Sequence, residues 1–141
     1  MRKRLFSLVL ISTFFSSLLT GCKGSTVYKD GTYSGASNPD DRGAYGEATI
    51  VIAENKISDC EFVTWQADGS LKDAEYGKVG GEISNPDFYE KAQLAVNAMA
   101  KYAEQLEETQ KLSDVDAITG ATISYNQFVE AVESALEQAG E

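Results

Sequence analysis

The residues that most suggest chemistry form one short segment, Asp116–Thr122, with the sequence Asp-Ala-Ile-Thr-Gly-Ala-Thr. Apolar residues recur at helical spacing after it and predict a final helix over about 125–138. The N-terminus of a helix gathers free backbone N–H groups and the positive end of the helix dipole, and both favour a phosphate. Gly120 and Ala121 have almost no side chain, so a bulky reactant can approach the Thr122 hydroxyl closely.

Two local patterns predict where this helix begins. Ser124 and Gln127 have the spacing of a capping box, in which the serine caps the helix. Ile123 and Phe128 occupy the two positions of a hydrophobic staple. We therefore expect Thr122 on the turn that leads into the helix, with Ser124 able to cap the helix even if the Thr122 hydroxyl is esterified.

The pattern Asp-x-x-Thr-Gly-Ala-Thr resembles the flavinylation motif of the FMN-binding domain family. That family includes the covalent-FMN subunits of sodium-pumping NADH:quinone oxidoreductase and of the Rnf complex, and also small surface lipoproteins. The resemblance implies that Thr122 carries FMN through a phosphoester bond. It also implies that a separate Mg-dependent FAD:protein FMN transferase attaches the FMN, and that a short recognition segment guides it: Asp116, Thr119, Gly120 and Ala121.

The resemblance extends over roughly residues 30–136, and it is strongest to the membrane-anchored lipoproteins of the major membrane immunogen type. Asp30-Gly31-Thr32-Tyr33 and Gly43-x-Tyr45-Gly46 follow the usual opening of the family. The ion-pumping branch has Glu-Thr-Pro-Gly after the next strands, whereas this chain has Gln66-Ala67-Asp68-Gly69. The flavin contacts of that branch are therefore not carried over to this chain.

The elements around the motif predict an α+β fold, with a small twisted antiparallel sheet packed against two main helices. Strands are expected at about 30–36, 44–53 and 57–65, where apolar and polar residues alternate or β-formers cluster. Residues 66–82 are rich in glycine and read as a loop. Asn85 and Pro86 begin the first main helix as N-cap and first helical residue. Its apolar face comprises Phe88, Ala92, Ala95, Val96, Met99, Ala103 and Leu106.

The N-terminus resembles that of a bacterial lipoprotein. Residues 1–21 have a basic start and an apolar run that is shorter and more polar than a transmembrane helix requires. This pattern is typical of a signal peptide. Leu19-Thr20-Gly21-Cys22 resembles a lipobox, which implies that Cys22 becomes the N-terminus and carries acyl chains into the bilayer. Residues 22–29 would then be a tether at the extracytoplasmic face of a bacterial membrane, and 30–141 a single FMN-binding domain. Cys60 is left unpaired and is expected to be a small buried residue.

Composition excludes several classes of function. The 141 residues carry a formal net charge of −10, or −13 once residues 1–21 and their three basic side chains are removed. Such an acidic domain repels nucleic acid. The chain has no His, which excludes Ser-His-Asp and Cys-His catalysis and His-ligated metal sites, and no other metal site is expected. Redox chemistry would have to come from a cofactor.

The function that these features favour is electron transfer by a carrier that is not itself an enzyme. It would pass electrons from a membrane donor to an extracytoplasmic acceptor. Two alternatives stay open: a surface lipoprotein that acts as a binding or structural module without flavin, and a flavin-dependent reductase, which the absence of an NAD(P) fingerprint disfavours. The flavin ring needs aromatic or apolar walls, although each candidate could equally be ordinary packing: Tyr33, Tyr45, Trp65, Tyr76 and Tyr125.

Overall fold

Three strands and two helices make an α+β fold in residues 26–140, the part of the chain that the computed structural model describes. The sheet has the order β1-β2-β3 and is antiparallel throughout. This confirms the expected fold class, whereas the segment predicted to be a signal peptide, residues 1–21, and Cys22 lie outside the described residues. Neither helix in this range is long and apolar enough to cross a membrane. The elements are β1 (Gly31–Ala36), β2 (Tyr45–Ala53), β3 (Lys56–Trp65), α1 (Pro86–Thr109) and α2 (Thr122–Ala139), with a short 3₁₀ turn at Leu112–Asp114.

The β2–β3 hairpin follows the alternation in the sequence. Ala48, Ile50 and Ile52 are buried on the face of the sheet that the helices cover. The turn between the strands consists of Glu54 and Asn55, with φ values of 53° and 61°. Two left-handed residues in succession match the right-handed twist of the strands, so this short turn closes a twisted hairpin.

Both helices pack on the same face of the sheet. α2 lies so close to β1 that a Cβ on Gly35 would be 2.2 Å from the carbonyl oxygen of Ala131. Aromatic rings fill the space between the helices and the sheet: Phe128 of α2 meets Phe62 of β3 at 5.1 Å and Tyr102 of α1 at 5.6 Å between ring centroids. The core is therefore continuous from the sheet to both helices.

The start of α1 is as expected, and so is most of its buried face, which includes Ala92, Met99, Ala103 and Leu106. The Asn85 side chain accepts the N–H of Phe88, and Pro86 is the first helical residue. Phe88, expected in the core, is 45 % exposed, because α1 reaches the sheet only further along the helix. There the Thr64 hydroxyl of β3 donates to the sulfur of Met99 at 3.0 Å. Tyr102 was not assigned to the apolar face and is fully buried.

The outer edge of β3 is covered by the C-terminal end of α1. The Ile57 N–H donates to Gln110 Oε1 and Gln110 Nε2 donates to the Ile57 carbonyl, both at 2.8 Å, so the amide pairs with β3 as a neighbouring strand would. Glu107 accepts the N–H of Cys60 at 2.8 Å. Burial, followed by the charges of Glu107 and Asp59, raises the pKa of the Cys60 thiol to about 12. Cys60 is thus a buried neutral thiol, as expected.

Helix α2 runs the full length of the sheet and defines its two ends. Near the start of α2, Gln127 Nε2 donates to the carbonyl of Ala44, just before β2 begins. Near its last turn, the carbonyl of Ala139 accepts the N–H of Lys29, just before β1 begins. We call these the motif end and the tether end.

Candidate functional site

Thr122 is the first residue of α2 and is exposed at the motif end. The preceding residue, Ala121, is the N-cap and makes no side-chain capping bond. Its carbonyl accepts the N–H of Tyr125 at 3.0 Å, so helical hydrogen bonding begins here. Thr122 therefore lies in the first turn of the helix and not on the turn before it.

The predicted capping box and staple are both wrong. Ser124 is buried inside the first turn and does not cap the helix. Ile123 is 64 % exposed, so it does not pack against Phe128 as a staple requires. The helix begins three residues before the predicted position, because contacts with α1 fix the preceding segment.

Tyr102 of α1 makes the central contact to the motif segment. Its hydroxyl donates to the carbonyl of Ala121 and accepts the N–H of Ile118, both at 3.1 Å. Burial raises the pKa of Tyr102, the Ile118 N–H opposes this shift, and Tyr125 adds to it. The hydroxyl therefore stays protonated at neutral pH and can donate and accept at the same time.

Two further side chains hold the start of the segment. Gln105 of α1 accepts the backbone N–H of Asp116 at 2.8 Å, and its amide donates to the Asp116 carbonyl at 3.4 Å. The Tyr125 hydroxyl of α2 donates to the carbonyl of Val115 at 3.1 Å. These bonds hold the backbone only, and the side chains of Asp116 and Thr119 are on exposed residues. A partner protein can therefore reach both.

The small residues of the motif serve packing as well as access. Gly120 has a φ of +86°, in the left-handed region, and a Cβ there would be 2.6 Å from Cδ2 of Leu94 in α1. Ala121 is only 3 % exposed and belongs to the core. The turn thus lies against α1, and Thr122 follows it directly with an exposed side chain.

The residues at this point fit a phosphate-linked group. The first N–H groups of a helix have no partner within the helix and, with the dipole, favour negative charge beside Thr122. Leu94, beside Gly120, and Ile123, next to Thr122 in the chain, are 43 % and 64 % exposed, so both offer apolar surface. Among residues 26–140, no group of three or more acidic or Cys side chains gathers as a metal site.

The five predicted flavin walls are not brought together. The Tyr33 hydroxyl donates to the Lys29 carbonyl at 2.9 Å, which puts the side chain towards the tether end, away from Thr122. Tyr125 lies edge-on to Tyr102, 5.5 Å between centroids, and holds the segment as described above.

The other three aromatic residues are at or near the motif end, on different surfaces. Tyr45 and Trp65 are register partners at the ends of β2 and β3, on the sheet face opposite the helices. The Trp65 indole donates to Glu47 Oε2 at 2.9 Å, which fixes its ring on that face. Tyr76, in the glycine-rich loop, lies edge-on to Phe88 of α1, with 6.3 Å between the ring centroids.

Sequence reasoning missed three residues of α1 that position the motif: Leu94, Tyr102 and Gln105. They lie along one side of the helix. Tyr102 has apolar residues at helical spacing on both sides, so periodicity offered a signal for its burial. Gln105 offered none, because a glutamine on a half-exposed helix face has no pattern that distinguishes it from a solvated one.

Comparison with known proteins decides the family. The sequence model of the FMN-binding domain family matches residues 43–137, which include the whole of the Asp116–Thr122 segment. The chain belongs to the FMN-binding domain family. Membership supports FMN as the cofactor of this flavoprotein, and an electron-carrying role is consistent with it.

One solved structure supports the same fold. The chain is similar to the CPE2226 protein from Clostridium perfringens, a structural genomics target, with a TM-score of 0.62 and 25% sequence identity. The match covers 79% of this chain and 88% of that one. No curated protein matches the chain.

Proposed function

We propose that this protein is a lipid-anchored electron carrier with FMN bound covalently, through a phosphoester, to Thr122. The observation that carries the proposal is the exposed position of Thr122 as the first residue of α2. It follows a turn whose backbone is held by Tyr102 and Gln105. A fixed, accessible hydroxyl at a helix N-terminus suits a reaction that leaves a phosphate diester there.

Each residue of the site has a separate part in this proposal. Thr122 is the acceptor: its hydroxyl oxygen, losing its proton, bonds to the FMN phosphorus of FAD as the pyrophosphate bond breaks and AMP leaves. The first N–H groups of α2 stabilise the remaining charge of the phosphate. Asp116 and Thr119, both exposed, are recognised by a Mg-dependent FAD:protein FMN transferase. Leu94 and Ile123 offer apolar surface to the ring. When bound, FMN takes up two electrons and can pass them on singly.

Attachment of FMN does not cost the helix a capping bond. The N-cap is Ala121, which has no side chain that can cap, and Thr122 already lies inside the helix. Esterification of the Thr122 hydroxyl therefore leaves the hydrogen bonds that start α2 in place. The outcome agrees with the expectation that flavinylation leaves the helix capped, but the reason differs, because Ser124 does not cap the helix.

The cellular part of the proposal rests on the N-terminal sequence. The lipobox-like Leu19-Thr20-Gly21-Cys22 favours acyl chains on Cys22 and a place at the extracytoplasmic face of a bacterial membrane. There the carrier relays electrons from a membrane donor to an extracytoplasmic acceptor. Covalent attachment is useful outside the cytoplasm, where lost FMN cannot be replaced from an internal pool.

The test is co-expression of the mature domain, with Cys22 replaced, and an FAD:protein FMN transferase. Intact mass and the visible spectrum are recorded for the parent protein, for Thr122→Ala and for Thr32→Ala, a control at another exposed threonine. We expect one added FMN phosphoryl group and a yellow protein in the parent and in Thr32→Ala, and neither in Thr122→Ala. A colourless parent of unmodified mass, made with a transferase that is active on another target, would overturn the proposal. The protein would then be a binding or structural lipoprotein.

A further inference from the structure

Lys72 of the glycine-rich loop lies at the motif end, with its side chain on the face of the sheet that the helices cover. Its N–H donates to the carbonyl of Thr64 at 2.8 Å, and Trp65 and Leu71 are antiparallel bridge partners. Lys72 is therefore directly opposite Thr64, and opposite residues of an antiparallel pair point to the same face. Thr64 is fully buried against Met99 of α1, so the side chain of Lys72 starts on this covered face, where it is half-buried.

One line of contacts connects Lys72 to the motif turn through α1. The ammonium of Lys72 is 5.3 Å from the centroid of the Tyr76 ring, a cation–π distance. The Tyr76 carbonyl accepts the amide of Gln93 in α1 at 2.9 Å. The next residue of the helix, Leu94, packs against the turn directly before Thr122. The loop and the motif are thus held by adjacent residues of one helix.

A second line of contacts reaches the start of α2 through the loop between β1 and β2. Burial lowers the pKa of Lys72, whereas the charge of Asp40 raises it, so these two side chains face each other. Asp40 Oδ1 accepts the N–H of Ala44 at 3.0 Å, and the Ala44 carbonyl accepts the amide of Gln127 at 2.9 Å. Gln127 is five residues after Thr122 in α2. Both lines of contact therefore place the ammonium of Lys72 at the same end of the covered face as Thr122.

A cleft opens beside Tyr76 at this end of the domain. It has a volume of about 630 Å³, and its walls include Arg42, Tyr76 and the half-exposed Phe88. This volume is in the range of sites that hold small molecules and cofactors. FMN carries its ring on a ribityl chain, so the ring lies some way from the phosphate on Thr122. The cleft offers room for that ring, with the Lys72 cation at its side.

Lys72 is a half-buried charge that makes no ion pair among residues 26–140. The acidic side chains that line the cleft, Asp73 and Glu75, are on exposed residues, and Glu75 is already paired with Lys78 at 2.8 Å. Water and salt screen exposed charges more than half-buried ones. Burial lowers the pKa of Lys72 and Asp40 opposes this shift only in part, so the cation is stabilised by any negative charge that forms beside it.

We propose that Lys72 raises the reduction potential of FMN on Thr122 by stabilising the negative charge that the ring gains on reduction. Two electrons from the donor and one proton from water, taken up at N5, give a reduced ring with one negative charge, which N1 and the C2 carbonyl oxygen share. Lys72 keeps its own proton and supplies only its charge. This inference rests on the proposed function, because it needs the flavin on Thr122.

The test compares the two-electron midpoint potentials of four flavinylated proteins, made as the full chain with the transferase and purified in detergent. They are the parent, Lys72→Met, Lys72→Arg and Lys56→Met, and intact mass shows that each carries one FMN. Lys72→Met keeps most of the apolar length of the side chain and removes the charge, whereas Lys72→Arg keeps the charge. Lys56→Met removes the same charge from an exposed residue of the hairpin at the tether end.

We expect the equilibrium constant for two-electron reduction to fall about tenfold in Lys72→Met, which corresponds to about 30 mV. Lys72→Arg and Lys56→Met should stay within about twofold of the parent, because the first keeps the cation and the second removes one that is distant and screened. Equal falls in Lys72→Met and Lys56→Met would overturn the inference, since net charge alone would explain them. An equal fall in Lys72→Arg would also overturn it, because Lys72 would then act through packing.

A second pair of variants leaves Lys72 in place and decides the question if Lys72→Met does not take up FMN. Asp40→Asn keeps an oxygen for the N–H of Ala44 but removes the carboxylate that faces Lys72. Asp41→Asn removes an exposed charge from the neighbouring residue. The equilibrium constant for reduction should rise several-fold in Asp40→Asn and hardly change in Asp41→Asn. Equal values in the two variants would contradict a role for the charge of Lys72.

The outcomes separate this inference from the proposed function. A parent that carries FMN, but whose potential does not respond to the charge of Lys72, would overturn the inference and leave the attachment at Thr122 intact. A parent without FMN, made with an active transferase, would overturn the proposed function and the inference together.

Discussion

The two connections on either side of α1 are built in opposite ways. The segment of residues 110–121, which carries the motif, is bonded to side chains of both helices, above all to Tyr102. The loop between β3 and α1, residues 66–85, contains the glycine-rich stretch 66–82, and its hydrogen bonds are largely internal. Gln66 accepts the N–H of Gly69, and Val79 and Glu82 exchange two backbone hydrogen bonds across a tight turn.

The difference shows which connection is fixed by the core. The Tyr102 hydroxyl bonds inside the protein, where water cannot replace a lost partner. The loop has two side-chain anchors from α1: the Tyr89 hydroxyl donates to the Ala74 carbonyl, and Gln93 donates to the Tyr76 carbonyl. Tyr89 is half-buried and its bond is exposed. The motif is thus positioned by the core, whereas the loop is positioned mainly by its own turns.

The largest expected difference between the two regions comes from removing one hydroxyl in each. Tyr102→Phe leaves the Ile118 N–H without its partner and removes one of the two hydrogen bonds to the Ala121 carbonyl, which keeps the Tyr125 N–H. This should cost about 1–3 kcal/mol of unfolding free energy. Tyr89→Phe exposes a carbonyl that water can reach and should cost less than about 1 kcal/mol. Chemical denaturation of both variants measures the two costs.

The same pair tests the link between position and FMN attachment. Tyr102→Phe loosens the turn before Thr122 and should slow modification by the transferase, whereas Tyr89→Phe should leave the rate unchanged. Equal losses of stability, or equal rates of modification, would contradict the view that the core positions the motif and not the loop.

A smaller effect separates two glycines with nearly the same backbone. Gly120 in the motif has a φ of +86° and Gly69 in the loop has +82°, but only Gly120 has an atom, Leu94 Cδ2, near its missing Cβ. At either position, replacement by Ala should lower the free energy of unfolding by about 1–2 kcal/mol, because Ala must adopt the left-handed conformation. Gly120→Ala should cost up to about 1 kcal/mol more, because Leu94 must move.

A double-mutant cycle isolates that extra cost. In a Leu94→Ala background the difference between Gly120→Ala and Gly69→Ala should vanish, as measured by chemical denaturation. A difference that survives the removal of Leu94 would show that another part of the motif turn, and not this contact, distinguishes the two glycines.

The sequence predicted those parts of the fold that local patterns determine. Alternating residues and a short polar turn located the β2–β3 hairpin, and Asn85 followed by Pro86 located the start of α1. Each of these features depends on residues close together in the chain. The motif itself was also visible, because its small residues and its place before an apolar periodic stretch are local as well.

The start of α2 was mispredicted because contacts distant in sequence decide it. Ser124 and Gln127 have capping-box spacing, but Tyr102, about twenty residues earlier, holds the Ala121 carbonyl and so sets the first helical residue. The walls of a flavin site are equally non-local. Tyr33 and Tyr45 are close in sequence, yet Tyr33 bonds towards the tether end and Tyr45 begins β2 at the motif end.

The smallest predicted effect is a pH dependence of opposite sign in the two regions. Burial raises the pKa of Tyr102 above its ordinary 10.0, so the unfolded chain ionises first and stability falls as the pH rises past that value. Burial lowers the pKa of Lys72, in the loop, below its ordinary 10.5, so the folded chain loses its proton first and stability rises with pH up to that value. The free energy of unfolding of Tyr102→Phe should therefore fall less steeply than that of the wild type as the pH rises past 10.0. Lys72→Met should lack the small rise in this free energy that the wild type shows as the pH approaches 10.5. Urea unfolding at several pH values measures both differences, and two slopes of the same sign would show that burial does not set these pKa values.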